Sequence, residues 1–110
     1  EQAGPEEVAQ RTIACFEEVL PDELPGVVFL SGGQSESEAT SNLNAMNSLS
    51  RKPPWPLSFS YGRALQASAL RSWQGQRENA DTAQESFLIR ARLNGLATCG
   101  QYTSDMELNA

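Results

Sequence analysis

The chain contains no histidine and a single lysine, Lys52. Without imidazole it can build no Ser-His-Asp or Cys-His nucleophile system, no imidazole-ligated zinc site and no ordinary proton shuttle at neutral pH. Cysteine is scarce as well. Cys15 and Cys99 stand far apart among apolar neighbours, which predicts reduced, buried thiols in a reducing compartment rather than a disulfide framework. Basic residues number 8 against 14 acidic ones, giving a formal net charge of −6. That sign is wrong for neutralising a phosphate backbone, so nucleic acid is not an expected partner. The longest purely apolar run, Val27 to Leu30, falls far short of the roughly 20 residues of a membrane span, and no membrane is expected as a partner. A length of 110 residues holds one domain at most. The start at Glu1, without Met or an apolar stretch behind it, is the pattern of an excised or incomplete chain rather than of a signal peptide.

The residues that are present alternate between helix and strand patterns. Pro5, Glu6 and Glu7 suit the positive end of a helix running to about Leu20, with Val8, Thr12, Cys15, Phe16 and Val19 marking one face. Pro21, Pro25 and Gly26 break it, and Val27 to Leu30 then read as a short strand, apolar on both faces as in a parallel sheet. Ser31, Gly32 and Gly33 form the following turn. Ser35 and Glu38 have capping-box spacing, predicting a helix from about Glu36 to Asn47 with Ala39, Leu43 and Met46 inward. After a proline-rich loop, Leu57, Phe59 and Tyr61 alternate with serines as a second strand, closed by Gly62 and Arg63. Leu65, Ala69, Leu70 and Trp73 recur at helical spacing up to Gly75. A last helix spans about Asp81 to Ala97, with one stripe of Ala83, Phe87 and Ala91 and another of Ile89, Leu93 and Leu96. Such a helix needs neighbours on more than one side. The segment after Gln101 shows no sustained pattern.

Phe29 and Gly32 have counterparts at Phe59 and Gly62, so strand, glycine turn and helix recur after 30 residues. This is a βα period. Two adjacent parallel strands joined by a crossover helix leave both sheet edges open, which implies further strands and, with this period, a (β/α)8 barrel. In a parallel pair the two post-strand turns lie at the same end. Ser31, Gly32 and Gly33 should therefore face Ser60, Gly62 and Arg63.

Glycines allow main-chain N–H groups to approach an anion, serines donate, a helix N-terminus adds positive potential and Arg grips phosphate bidentately. Each piece alone is an ordinary turn or surface residue. Two such loops in register favour phosphate binding. Glu36 and Glu38 could form an acid/base pair, but the capping box and their favourable position at the helix dipole account for them. Arg11, Glu17 and Glu18 read as a solvated face, and Trp55 and Trp73 as packing residues. Ser31 lacks a base that would make it a nucleophile. Lys52 precedes the second strand and belongs at the opposite end of the sheet.

The runs Pro5-Glu6-Glu7-Val8-Ala9, Phe29-Leu30-Ser31-Gly32-Gly33-Gln34-Ser35, Asn42-Leu43-Asn44-Ala45-Met46-Asn47 and Phe59-Ser60-Tyr61-Gly62-Arg63-Ala64-Leu65-Gln66 are similar, in order and spacing, to eukaryotic-type class I fructose-1,6-bisphosphate aldolases. The resemblance covers about Pro5 to Tyr102. It implies an α/β fold, the last two βα units plus C-terminal helix of a (β/α)8 TIM barrel over residues 1–102, followed by a divergent, flexible tail at 103–110. It also implies the glycolytic lyase reaction, reversible cleavage of fructose 1,6-bisphosphate to dihydroxyacetone phosphate and glyceraldehyde 3-phosphate through a lysine Schiff base, with no metal and no cofactor. Ser31, Gly32, Gly33, Ser60, Gly62 and Arg63 would hold the substrate phosphate on the dihydroxyacetone side. The family's Schiff-base lysine, catalytic carboxylates and terminal tyrosine have no counterparts among these residues, so this chain is expected to be inactive alone. The resemblance further implies a homotetramer and a cytoplasmic location, with the plastid as the alternative. The alternative function is an inactive fragment or variant that only binds a phosphate ligand or a protein partner.

Overall fold

A computed structural model describes residues 2–108; the end of the expected tail, 109–110, lies outside them. Helix α1 (Pro5–Val19) starts with proline in its first turn beside Glu6 and Glu7 and ends where Leu20 turns extended before Pro21. Its inward face is Ala9 and Ile13, continued by the partly buried Phe16 and Leu20. This corrects the expected face: Val19 is 65% exposed and Cys15 is exposed. Fully buried Ala9 has the small side chain that lets α1 approach α2 closely, and the inward ladder at 9, 13, 16 and 20 follows from that contact.

Strands β1 (Val27–Phe29) and β2 (Leu57–Phe59) pair in parallel, Val27 opposite Leu57 and Phe29 opposite Phe59. The 30-residue repeat is thus the sheet register itself. Both strands are shorter than their apolar runs. Val28 and Leu30 are 62% and 76% exposed, because a two-stranded sheet leaves one side bare.

Helix α2 (Glu36–Met46) occupies the centre, against α1, α3 and α4. Its capping box forms as expected: the Glu38 N–H donates to Ser35 Oγ at 3.2 Å and the Ser35 N–H to Glu38 Oε1 at 2.9 Å. The Ser35 main-chain N–H, and after it the Ser35 and Gln2 side chains, hold the Glu38 carboxyl below its ordinary value. Ala39, Leu43 and Met46 are buried as predicted. At its end the Asn47 amide donates to the carbonyls of Leu57 and Ala97, at 3.3 and 3.1 Å, tying β2 and the last helix to α2.

Helix α3 (Arg63–Trp73) stops at Gln74 and Gly75, both left-handed, and a short 3-10 turn, Arg77–Asn79, leads into α4 (Ala80–Ala97). Helix α4 packs on both α2 and α3. Its buried residues are Arg90, Leu93, Asn94 and Ala97, so the expected Phe87 stripe is corrected: Phe87 is 37% exposed. Of the two tryptophans, Trp55 is a packing residue, its ring edge-on to Phe16 and its Nε1–H donating to Pro21 O at 2.7 Å. Trp73 is not, being 44% exposed. Both cysteines are free and exposed, which corrects their expected burial. After Gln101, Ser104–Glu107 form a 3-10 turn in which Glu107 pairs with buried Arg90 at 2.7 Å and accepts the Tyr102 hydroxyl. No helix among the described residues is long and apolar enough to cross a membrane.

Candidate phosphate site

Parallel pairing sends both strands out at one end of the sheet, and the Ser60 N–H donates to Phe29 O at 2.8 Å just beyond them. The first turn closes on Ser31. Its carbonyl accepts the Gln34 main-chain N–H at 3.1 Å and the Gln34 side-chain amide at 2.8 Å, and Asn42 secures the other end of that amide at 2.6 Å. Gly32 sits at φ +57°. That conformation costs a residue with a Cβ about 1–2 kcal/mol and glycine nothing. Gly33 and Gly62 differ. Neither has a positive φ, and a Cβ built on either meets no heavy atom within 4 Å. The fold does not require glycine at these two positions. Both are exposed.

The second turn ends at Gly62, the N-cap of α3, which carries no side-chain cap bond. Helices α1, α2 and α4 each place acidic residues in their first turn; α3 has none and begins with Arg63. A cation there opposes the helix dipole unless an anion lies beside it. Arg63 is exposed and reaches across to the other turn, its Nη2–H donating to Gly32 O at 3.0 Å. One guanidinium therefore spans both loops and keeps further donors for a ligand.

The six residues read from the sequence thus converge, although unequally. Ser31 is buried, only 4% exposed, while Gly32, Gly33, Ser60, Gly62 and Arg63 line the exposed rim. The Ser60 main-chain N–H is committed to the sheet, which leaves its hydroxyl as the group it can offer. Lys52 lies in the loop before β2, at the opposite end of the strand. Among the described residues no cluster of acidic, cysteine or histidine side chains could hold a metal ion.

Two supporting residues escape sequence reasoning. The Tyr61 hydroxyl donates to Ala39 O at 2.8 Å beneath the site, and burial pushes its phenol up to about 12, so it remains a donor. Its alternation with Phe59 signals a strand face, not this bond. Glu36 reaches to α3, where its carboxylate accepts from Ser68 and pairs with Arg71. Only the long-range geometry reveals that contact.

The family model for class-I fructose-bisphosphate aldolase matches residues 1–110. A cytosolic fructose-bisphosphate aldolase of Arabidopsis thaliana is 52% identical over 97% of this chain and 30% of its own length. The cytoplasmic isozyme of Spinacia oleracea is 59% identical over 89% of this chain and 28% of its own length. Among solved structures, the Plasmodium falciparum fructose-bisphosphate aldolase in complex with TRAP and a small-molecule inhibitor superposes with a TM-score of 0.90 at 51% identity, covering 94% of this chain and 30% of that one. The chain thus spans about 30% of the length of each of these three relatives. The superposition bears out the expected architecture, two βα units and a closing helix from a (β/α)8 barrel. By sequence and by fold, this chain belongs to the class I fructose-bisphosphate aldolase family.

Proposed function

We propose that these residues are the phosphate-holding part of a fructose 1,6-bisphosphate aldolase, the barrel portion being 1–102. In this reading the turns at Ser31, Gly32, Gly33 and at Ser60, Gly62, Arg63 hold the phosphate of the dihydroxyacetone half. The observation that carries it is Arg63: a cation at the start of a helix, exposed, and bridging to the neighbouring turn. Bound phosphate would turn that unfavourable dipole contact into a favourable three-way one. Arg63 would grip two phosphate oxygens, and the main-chain N–H groups of the glycine turns and the Ser60 hydroxyl would take others.

The carbon chemistry is assigned to a lysine outside these residues, since Lys52, the one lysine here, stands before β2, at the end of the strand away from the turns. This chain's own part is to fix one end of the substrate, so that the ketone always meets that lysine in one orientation. Assembly as a homotetramer and a cytoplasmic location complete the reading. Support for the location comes from the relatives, whose names are cytosolic and cytoplasmic.

Gly33→Ala in the intact enzyme tests the site. The added methyl group meets no heavy atom within 4 Å among the described residues, so thermal unfolding should be unchanged, while the KM for fructose 1,6-bisphosphate rises about tenfold through lost approach to the phosphate. An unchanged KM with an unchanged unfolding temperature contradicts the assignment.

A further inference from the structure

Glu36 does more than an acid at a helix start requires. A glutamate in the first turn of α2 satisfies the dipole from water, yet the Glu36 side chain is only 14% exposed. Both of its oxygens are directed to α3. Oε2 accepts the Ser68 main-chain N–H at 3.0 Å, and Oε1 accepts the Ser68 hydroxyl and lies 3.5 Å from Arg71 Nη2. Arg71 also donates to Ser68 Oγ at 3.0 Å, closing the cluster. The Glu36 carbonyl is held as well, by Thr40 Oγ1 at 2.9 Å and by Arg90 Nη2 at 3.4 Å. This residue joins α2, α3 and α4.

Its place relative to the phosphate turns gives that junction a consequence. Glu36 follows the Gly32 turn closely in sequence, and Ser68 lies five residues beyond Arg63, roughly 7.5 Å along the helix axis. A helix does not stretch over that distance. Where the carboxylate fixes Ser68, it also fixes how far Arg63 projects over Gly32. We propose that Glu36 is a positioning residue for the phosphate clamp, setting the height of α3 so that Arg63 spans both turns. It would touch no substrate, and the inference rests on the phosphate reading above.

The test is a double-mutant cycle in the intact enzyme, read by steady-state kinetics on fructose 1,6-bisphosphate. Glu36→Ala should raise KM about fivefold with kcat unchanged, and Glu36→Gln, which still accepts from Ser68, should recover most of the loss. On an Arg63→Ala background the same Glu36→Ala change should alter KM by less than about twofold, because its effect runs through Arg63. Ser68→Ala approaches the contact from the other helix and should reproduce part of the KM rise, which keeps the test open should Glu36→Ala not fold. A wild-type KM in both Glu36→Ala and Ser68→Ala overturns the positioning role. So does a Glu36→Ala effect of equal size with and without Arg63, or one confined to kcat. An Arg63→Ala enzyme with unchanged KM overturns the phosphate reading and this inference together, whereas a raised KM in Arg63→Ala beside a wild-type KM in both Glu36→Ala and Ser68→Ala overturns only this one.

Discussion

Replacing Arg63 with alanine in the intact enzyme is expected to raise the KM for fructose 1,6-bisphosphate by about 10- to 100-fold, the equivalent of one charge-assisted hydrogen bond lost at about 1.5–3 kcal/mol. The turn itself should survive. Arg63 is exposed, and its side-chain bond to Gly32 O is a surface contact whose carbonyl water can satisfy. Removing a cation from the first turn of α3 also relieves the dipole, so stability should hold or rise slightly. Arg63→Lys should recover only part of the loss, because an ammonium is a point charge without the planar fork. The discriminating comparison is a neutral ketone. Schiff-base formation with unphosphorylated dihydroxyacetone, measured by borohydride trapping, should match the wild type, since no phosphate is there to be held. Equal losses on the charged and neutral ligands would instead mark Arg63 as structural.

The second large effect concerns stability. Arg90 is almost fully buried, its side chain 7% exposed, and it pairs through two nitrogens with Glu107, at 2.7 and 3.0 Å, while donating to Thr40 Oγ1 at 2.7 Å. Burial alone would lower the Arg90 pKa, but the bond to Glu107 and the charges of Glu107 and Glu36 more than offset it, so the guanidinium stays charged. Glu107→Ala leaves that charge in the interior without its partner. Removing one member of a buried pair costs about 3–5 kcal/mol, and because Glu107 is itself 24% exposed we expect about 2–3 kcal/mol in urea unfolding. The double variant Arg90→Met/Glu107→Leu should lose less than either single change, since it buries no orphaned charge.

The pair also sets a pH dependence. The Arg90 bond holds the Glu107 carboxyl below its ordinary value of 4.5. Its contribution is therefore complete above 4.5 and lost as pH falls through the lower folded-state value. Unfolding of Glu107→Ala should be less sensitive to acid than the wild type, and an unaltered acid profile would contradict the pairing.

Much of this was legible in the sequence where local rules and tertiary packing agree. The repeat from Phe29 and Gly32 to Phe59 and Gly62 became the strand register, because equivalent βα units stack side by side and leave the sheet at the same end. Ser35 and Glu38 formed their capping box because those bonds involve only neighbours in sequence. What the sequence misread depends on distant partners. The apolar setting of Cys15 suggested burial, but buried Ala9 and Ile13 turn α1 so that Cys15 faces out. Apolar periodicity on α4 passed over Arg90 and Asn94, which lie 2.7 and 2.8 Å from Thr40 Oγ1 on α2, Arg90 also being paired with Glu107. Glu36 was assigned to the helix dipole, since nothing in its local spacing points to Ser68 and Arg71 on α3.

Whether two post-strand turns and one arginine hold a substrate phosphate is decided by a crystal structure of the intact enzyme with dihydroxyacetone phosphate. The phosphate should lie between the turns, about 3 Å from the Arg63 guanidinium and within hydrogen-bond reach of the glycine-turn N–H groups. A phosphate bound elsewhere, with Arg63 still on the Gly32 carbonyl, would contradict that placement.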